Sequence, residues 1–218
     1  MNFSKLYIII YFGILCDAEN VMNVIVLAGM PASGKSTLSK HISNAFSYPV
    51  LEKDGIKEEI FDTVGFKCYT EKRNCDHAAN AVLLHVLEAV LKSGGSAILD
   101  NNFDVQSAAR LDALLERYGA NCITVFLGGE TEAFYQRYVE RDRLHLRHLG
   151  HVVQERYPLA EGDSPDHTMS REEFDEKFVK RGMTDIKIRG HRIDIDATYP
   201  EKIDIVGIIE QIKGLLVD

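Results

Sequence analysis

Residues Gly29-Met30-Pro31-Ala32-Ser33-Gly34-Lys35-Ser36-Thr37 follow directly on the apolar run Val24-Ile25-Val26-Leu27-Ala28 and match the phosphate-binding pattern GxxxxGK[ST]. This pattern constrains a fold strongly, because it works only with a strand before the loop and a helix after it. A β-branched run enters, and Leu38, Ile42, Ala45 and Phe46 recur afterwards at helical spacing, so the order is the required one. Two glycines let the backbone curl until successive N–H groups converge on an anion. Lys35 then reaches the β and γ phosphates of a nucleoside triphosphate, and the Ser36 hydroxyl can ligate Mg²⁺. The following helix aims its positive end at the same charge. Gly29, Ser33, Gly34, Lys35, Ser36 and Thr37 are therefore the candidate nucleotide contacts. The competing reading is a Gly-rich turn of an unrelated α/β unit.

Beyond the loop, short β-rich runs alternate with longer amphipathic segments, the pattern of a parallel sheet covered by helices on both faces. Strands are expected at Val24 to Ala28, Tyr48 to Glu52, Ala97 to Asp100, Cys122 to Leu127 and Arg192 to Ile195. Helices are expected at about 35–46, 55–63, 74–92, 104–118, 131–144, 170–180 and 201–216. The expected class is α/β: a three-layer fold built on a five-stranded, mostly parallel sheet, with a basic lid. The stretch 145–168 has no clean period and reads as a mobile loop. Its entry is basic (Arg137, Arg141, Arg143, Arg147) and its exit, 161–166, is acidic, so a lid at about 141–168 over the phosphates is expected.

Phosphoryl transfer needs positioning, neutralisation of the moving group and a proton acceptor. Asp54, closing the second strand in Leu51-Glu52-Lys53-Asp54, is the candidate base, because parallel strands open their C-terminal ends onto the nucleotide crevice. Lys57 lies on the same side of the next helix and can hold an anionic or hydroxylated acceptor. The alternative makes Asp54 a helix N-cap and Lys57 a solvated charge. Asp100 ends the third strand and can hold Mg²⁺ through water, unless it serves only as a turn or helix cap. Arg137 and Arg141 share a helix face and either can meet the γ-phosphate, Arg141 being nearer the lid; the alternative is a solvated basic face with Glu140 and Asp142. His145, His148 and His151 invite a metal reading, but no Cys or second carboxylate set completes it.

The chain has 218 residues, 45% of them hydrophobic and 27% charged, which suits one soluble domain at 22–218. A net charge of −8 argues against wrapping duplex nucleic acid by bulk electrostatics. Cys16, Cys68, Cys75 and Cys122 form no CxxC pair and read as free thiols in a reducing compartment. Residues 1–21 form an apolar extension in which Lys5 precedes a run from Leu6 to Leu15. That run is too short for a membrane span and lacks a clear cleavage site. Met22 stands just before the first strand, so an over-extended start or dispensable leader is favoured over an edge strand or a true leader. A triphosphate-using protein is then expected in the cytoplasm.

These residues together resemble the P-loop kinases of the AAA-type ATP-binding group, relatives of zeta toxins, chloramphenicol phosphotransferases and polynucleotide kinases. The resemblance spans about Val24 to Leu216. Besides Gly29 to Thr37 it rests on Lys53-Asp54-Gly55-Ile56-Lys57-Glu58, Leu99-Asp100-Asn101-Asn102-Phe103, Arg137-Tyr138 with Arg141, Arg147-His148-Leu149-Gly150-His151 and Asp194-Ile195-Asp196-Ala197-Thr198. Asp100 and Leu149 depart from the group, where Glu and Pro are frequent. The resemblance implies a three-layer P-loop NTPase fold and an ATP- and Mg²⁺-dependent phosphotransferase. It further implies Asp54 near the acceptor hydroxyl, a lid from Arg141 to His151, and Thr198 on the adenine side. A small-molecule acceptor is the leading expectation. Transfer to a 5′-hydroxyl of RNA or DNA, and a nucleotide-binding switch with little transfer, stay open. No motif names the acceptor or sets the oligomeric state.

Overall fold

The computed structural model describes residues 21–163, 165 and 169–217. The expectations for residues 1–20 and for part of the acidic lid exit lie outside them. Five strands form one sheet: β1 (Asn23–Gly29), β2 (Val50–Glu52), β3 (Ala97–Asp100), β4 (Asn121–Gly128) and β5 (His191–Asp196). Their order is β2-β3-β1-β4-β5, and among the described residues every pairing is parallel, with no antiparallel strand in the sheet. β1 is central and buried along its whole length, which is why it reads as an unbroken apolar run.

Alternation along β1 divides the core. Ile25 and Leu27 face a layer built from α1 (Lys35–Phe46), α5 (Thr131–Arg143) and α8 (Ile205–Lys213), with Leu38, Ile42, Phe134, Tyr138, Ile208 and Ile212. Val24, Val26 and Ala28 face α3 (Tyr69–Lys92) and α4 (Val105–Tyr118), with Leu83, Leu87, Leu111 and Leu115. Helices thus cover both faces, as the alternating pattern requires. A smaller cluster of Phe61, Phe66, Cys75 and Val153 ties α2 (Lys53–Val64) to α3 and to the segment after α5.

Three boundaries shift for physical reasons. β2 ends at Glu52, which places Asp54 in the first turn of α2 rather than at a strand end. α3 begins at Tyr69, ahead of the apolar periodicity, because its first turns are polar. The expected final helix divides into a 3₁₀ turn at Pro200–Lys202 and α8, where the Asp204 side chain accepts from the Gly207 N–H at 2.9 Å.

The expected loop at 145–168 carries a short helix, α6 (Leu149–Val152), and docks on α2 and α3. His148 meets Asp62 and His151 meets Glu58, each at 3.0 Å, while Phe66 and Tyr157 form a backbone bridge. The segment expected as a helix at 170–180 is one α turn, α7 (Arg171–Phe174), running into a π-helical turn, Asp175–Val179. Among the described residues no helix is long and apolar enough to cross a membrane, and Cys68, Cys75 and Cys122 are free thiols.

Candidate active site

Strand β1 delivers the loop at its C-terminal end, and α1 starts at Lys35. Gly29 (φ 132°) and Gly34 (φ 99°) take backbone shapes that L side chains resist. A Cβ on Gly29 would stand 2.3 Å from the Leu127 carbonyl oxygen of β4, so the loop can leave the sheet only through glycine. Lys35 is buried and its Nζ donates to the carbonyls of Met30 (2.8 Å) and Gly29 (3.2 Å). Burial pulls its ammonium down to about 8, against the attraction of Asp100 and Asp54 and with the repulsion of Arg141. Such a cation gains from any anion brought to the loop.

The loop opens into a cleft of about 1180 Å³ whose lining includes Ser36, Thr37, Asp54, Lys57, Asp100, Arg141 and Arg147. Asp100 is buried at the end of β3, beside the Ser36 hydroxyl. Burial raises its carboxyl above the usual range despite Lys35, and its Oδ2 atom has no partner among the described residues. The side-chain carbonyls of Asn101 and Asn102 are likewise unpartnered and buried. A row of orphaned oxygens beside a hydroxyl suits a hard cation that keeps several waters. No group of three or more His, Cys, Asp or Glu capable of holding a metal occurs among the described residues. His148 and His151 are instead taken up by Asp62 and Glu58, which ends the histidine metal reading for those two.

Asp54 does not cap its helix: the N-cap of α2 is Glu52. Burial works to raise the Asp54 carboxyl, but His151, Lys53, Lys57 and Arg147 outweigh it and hold the group below the usual carboxylate range. No hydrogen bond to its side chain occurs among the described residues. Lys53 and Lys57 both bond to Asp76 of α3, at 2.7 and 2.8 Å. Burial opposes the Asp76 charge, yet the two ammonium groups drive its carboxyl far below its ordinary value.

The two arginines expected on one helix face part company. The Arg141 guanidinium lines the cleft without a hydrogen-bond partner among the described residues, and its Nε is buried. Arg137 turns away over the Phe134 ring and donates to the carbonyls of Ala197 (2.9 Å) and Thr198 (3.4 Å). Thr198 in turn accepts from the Glu130 N–H at 3.0 Å. Arg137 of α5 and Thr198 of the loop after β5 are therefore in contact, and neither is among the residues lining the cleft around Lys35. The sequence carried no sign of Lys177, and left Lys53, Lys72 and Asp76 without a role. A signal existed: Lys72, Asp76 and Asn80 recur every four residues and all line the cleft.

A family model described as an AAA domain matches residues 24–152. No curated protein matches significantly. Among solved structures, a "putative kinase" from Chloroflexus aurantiacus is 25% identical, with a TM-score of 0.74 over 90% of this chain and 100% of its own. A sugar kinase from Janibacter (14% identity, TM-score 0.52, 89% and 94% covered) shares the fold. So does Kti12 from Chaetomium thermophilum, solved with ADP-AlF3 (18%, 0.52, 89% and 100%). With a family model covering more than half of its length, the chain belongs to the AAA-domain family, and it has the P-loop kinase fold.

Proposed function

We propose that the protein transfers the γ-phosphate of ATP to a hydroxyl of a small molecule. One observation carries this reading: Lys35, Arg141 and Asp54 line a single cleft at the strand ends, and among the described residues neither the Arg141 guanidinium nor the Asp54 carboxylate has a hydrogen-bond partner. Lys35 and the loop N–H groups hold the β and γ phosphates, and Arg141 neutralises charge on the moving phosphoryl group. Asp54 orients the acceptor hydroxyl and takes its proton as oxygen bonds to the γ-phosphorus and the bond to the β-phosphate oxygen breaks, releasing ADP. Its lowered proton affinity makes that transfer late, when the hydroxyl is already acidified. Ser36 and Asp100 would hold Mg²⁺, which supplies charge neutralisation on the phosphates. Arg137 and Thr198 form the adenine side. The segment from Arg141 to His151 is the lid.

The test is ADP release across a panel of alcohols. Asp54→Asn is expected to lower acceptor-dependent turnover by about 10²–10⁴-fold while AMP-PNP binding persists. Full turnover in that variant removes Asp54 as base.

A further inference from the structure

Away from the loop, the cleft is lined by cations from four separate parts of the chain: Lys57 of α2, Lys72 of α3, Arg147 of the docked segment and Lys177 of the π turn. They stand close together. Burial first, and then the charges of Lys57 and Arg147, bring Lys177 down to about 8, and burial with Lys177, Lys57 and Arg147 brings Lys72 to about 6.

Their counter-charges fall short. Arg147 has Asp142 at 2.8 Å, but Lys53 and Lys57 share the single carboxylate of Asp76. Lys72 donates to neutral acceptors, the carbonyls of His151 and Val153. Lys177 lies over the Phe178 ring and has no ion pair among the described residues. The acidic side chains nearby are committed or solvated: Glu176 pairs with Lys180, Glu173 caps the Ser170 N–H, and Glu155 and Glu172 are exposed. At neutral pH the extra charge of the Lys53–Asp76–Lys57 triad faces the Asp54 carboxylate, and the charge on Lys177 is left with no acidic partner among the described residues. Converging cations in a half-buried wall, one of them without an ion pair among the described residues, weaken a fold and suit an anionic ligand.

This group is separate from the triphosphate loop. The charges acting on Lys35 are Asp100, Asp54 and Arg141, whereas those acting on Lys177 are Lys57, Arg147, Asp76 and Arg181. It adjoins the candidate base, because Lys57 and Arg147 also act on Asp54. A molecule presenting a hydroxyl to Asp54 therefore extends towards the cations. Resting on the kinase reading above, we propose that the acceptor is a phosphomonoester alcohol, its dianionic phosphate held by Lys57 and Lys177 with Lys72 behind them. Lys57, Lys177 and the Arg147 guanidinium offer more donors than the two oxygens of a lone carboxylate use, which suits the three terminal oxygens of a phosphate.

The test is equilibrium dialysis of radiolabelled inorganic phosphate against protein saturated with AMP-PNP and Mg²⁺, so that the loop is already filled. One phosphate per chain is expected, bound at least tenfold more weakly by Lys177→Met and recovered by Lys177→Arg. Unlabelled ribose 5-phosphate and a nucleoside 5′-monophosphate serve as competitors and separate a sugar phosphate from a nucleotide as the source. Ribose and the nucleoside are expected not to compete. Absent uptake, uptake indifferent to Lys177→Met, or failure of both organic phosphates to compete overturns the proposal. AMP-PNP uptake is read in the same samples, so loss of the nucleotide site registers separately from loss of the phosphate site.

Discussion

At the scale of single residues, the account turns on groups whose charge is set by burial. Lys35 is held at about 8, so a bound triphosphate must raise its proton affinity, and binding near pH 8 to 9 takes up a proton. AMP-PNP affinity is accordingly expected to fall as pH rises from 7 to 9.5. Calorimetry in buffers of different ionisation heat should show proton uptake, which Lys35→Met abolishes. Lys72 makes a different prediction. Its amine sits near 6 in the fold and near the ordinary lysine value of 10.5 when unfolded, so between these limits the unfolded chain binds more protons and stability rises with pH. The stability difference between wild type and Lys72→Met, from urea unfolding, should grow in favour of wild type by about 1.4 kcal/mol per pH unit above pH 6.5. A constant difference across that window would show that Lys72 is solvated. Among the described residues the Arg141 guanidinium has no hydrogen bond to lose, so Arg141→Met is expected to lower turnover by about 10³-fold with little change in melting temperature.

At the scale of elements, helices α2 and α3 jointly build the half of the cleft away from the phosphate-binding loop, through Asp76 bridging Lys53 and Lys57. That half was only partly legible. Asp54 and Lys57 stand one turn apart on one short helix, so spacing alone placed them together, whereas Lys72, Asp76 and Lys177 meet them only through packing of distant segments. The polar first turns of α3 hid its start for the same reason, since a helix face lining a cleft resembles one facing solvent. The Arg137 divergence was illegible too: i and i+4 share a face, but the Ala197 and Thr198 carbonyls draw one guanidinium aside. From its position, Arg137→Met is expected to weaken AMP-PNP severalfold while leaving inorganic tripolyphosphate affinity unchanged, as measured by competition. Equal losses for both ligands would place Arg137 at the phosphates instead.

For the whole molecule, the fold was legible in the sheet, because β1, β3 and β4 are apolar runs and β1 is buried along its whole length before the loop. Both core layers hang on that strand. Ile25→Ala on one side and Leu111→Ala on the other are each expected to cost about 2–5 kcal/mol in urea unfolding. What periodicity could not supply is the cleft's charge pattern, a property of the assembled sheet ends and not of any one segment. The central claim is that this sheet exists to present a triphosphate site with Lys35 at its mouth. Calorimetry with AMP-PNP in magnesium buffer tests it most directly: one molecule bound per chain, weakened about 100-fold or more by Lys35→Ala, is the expected result, and no uptake by folded wild-type protein would contradict it.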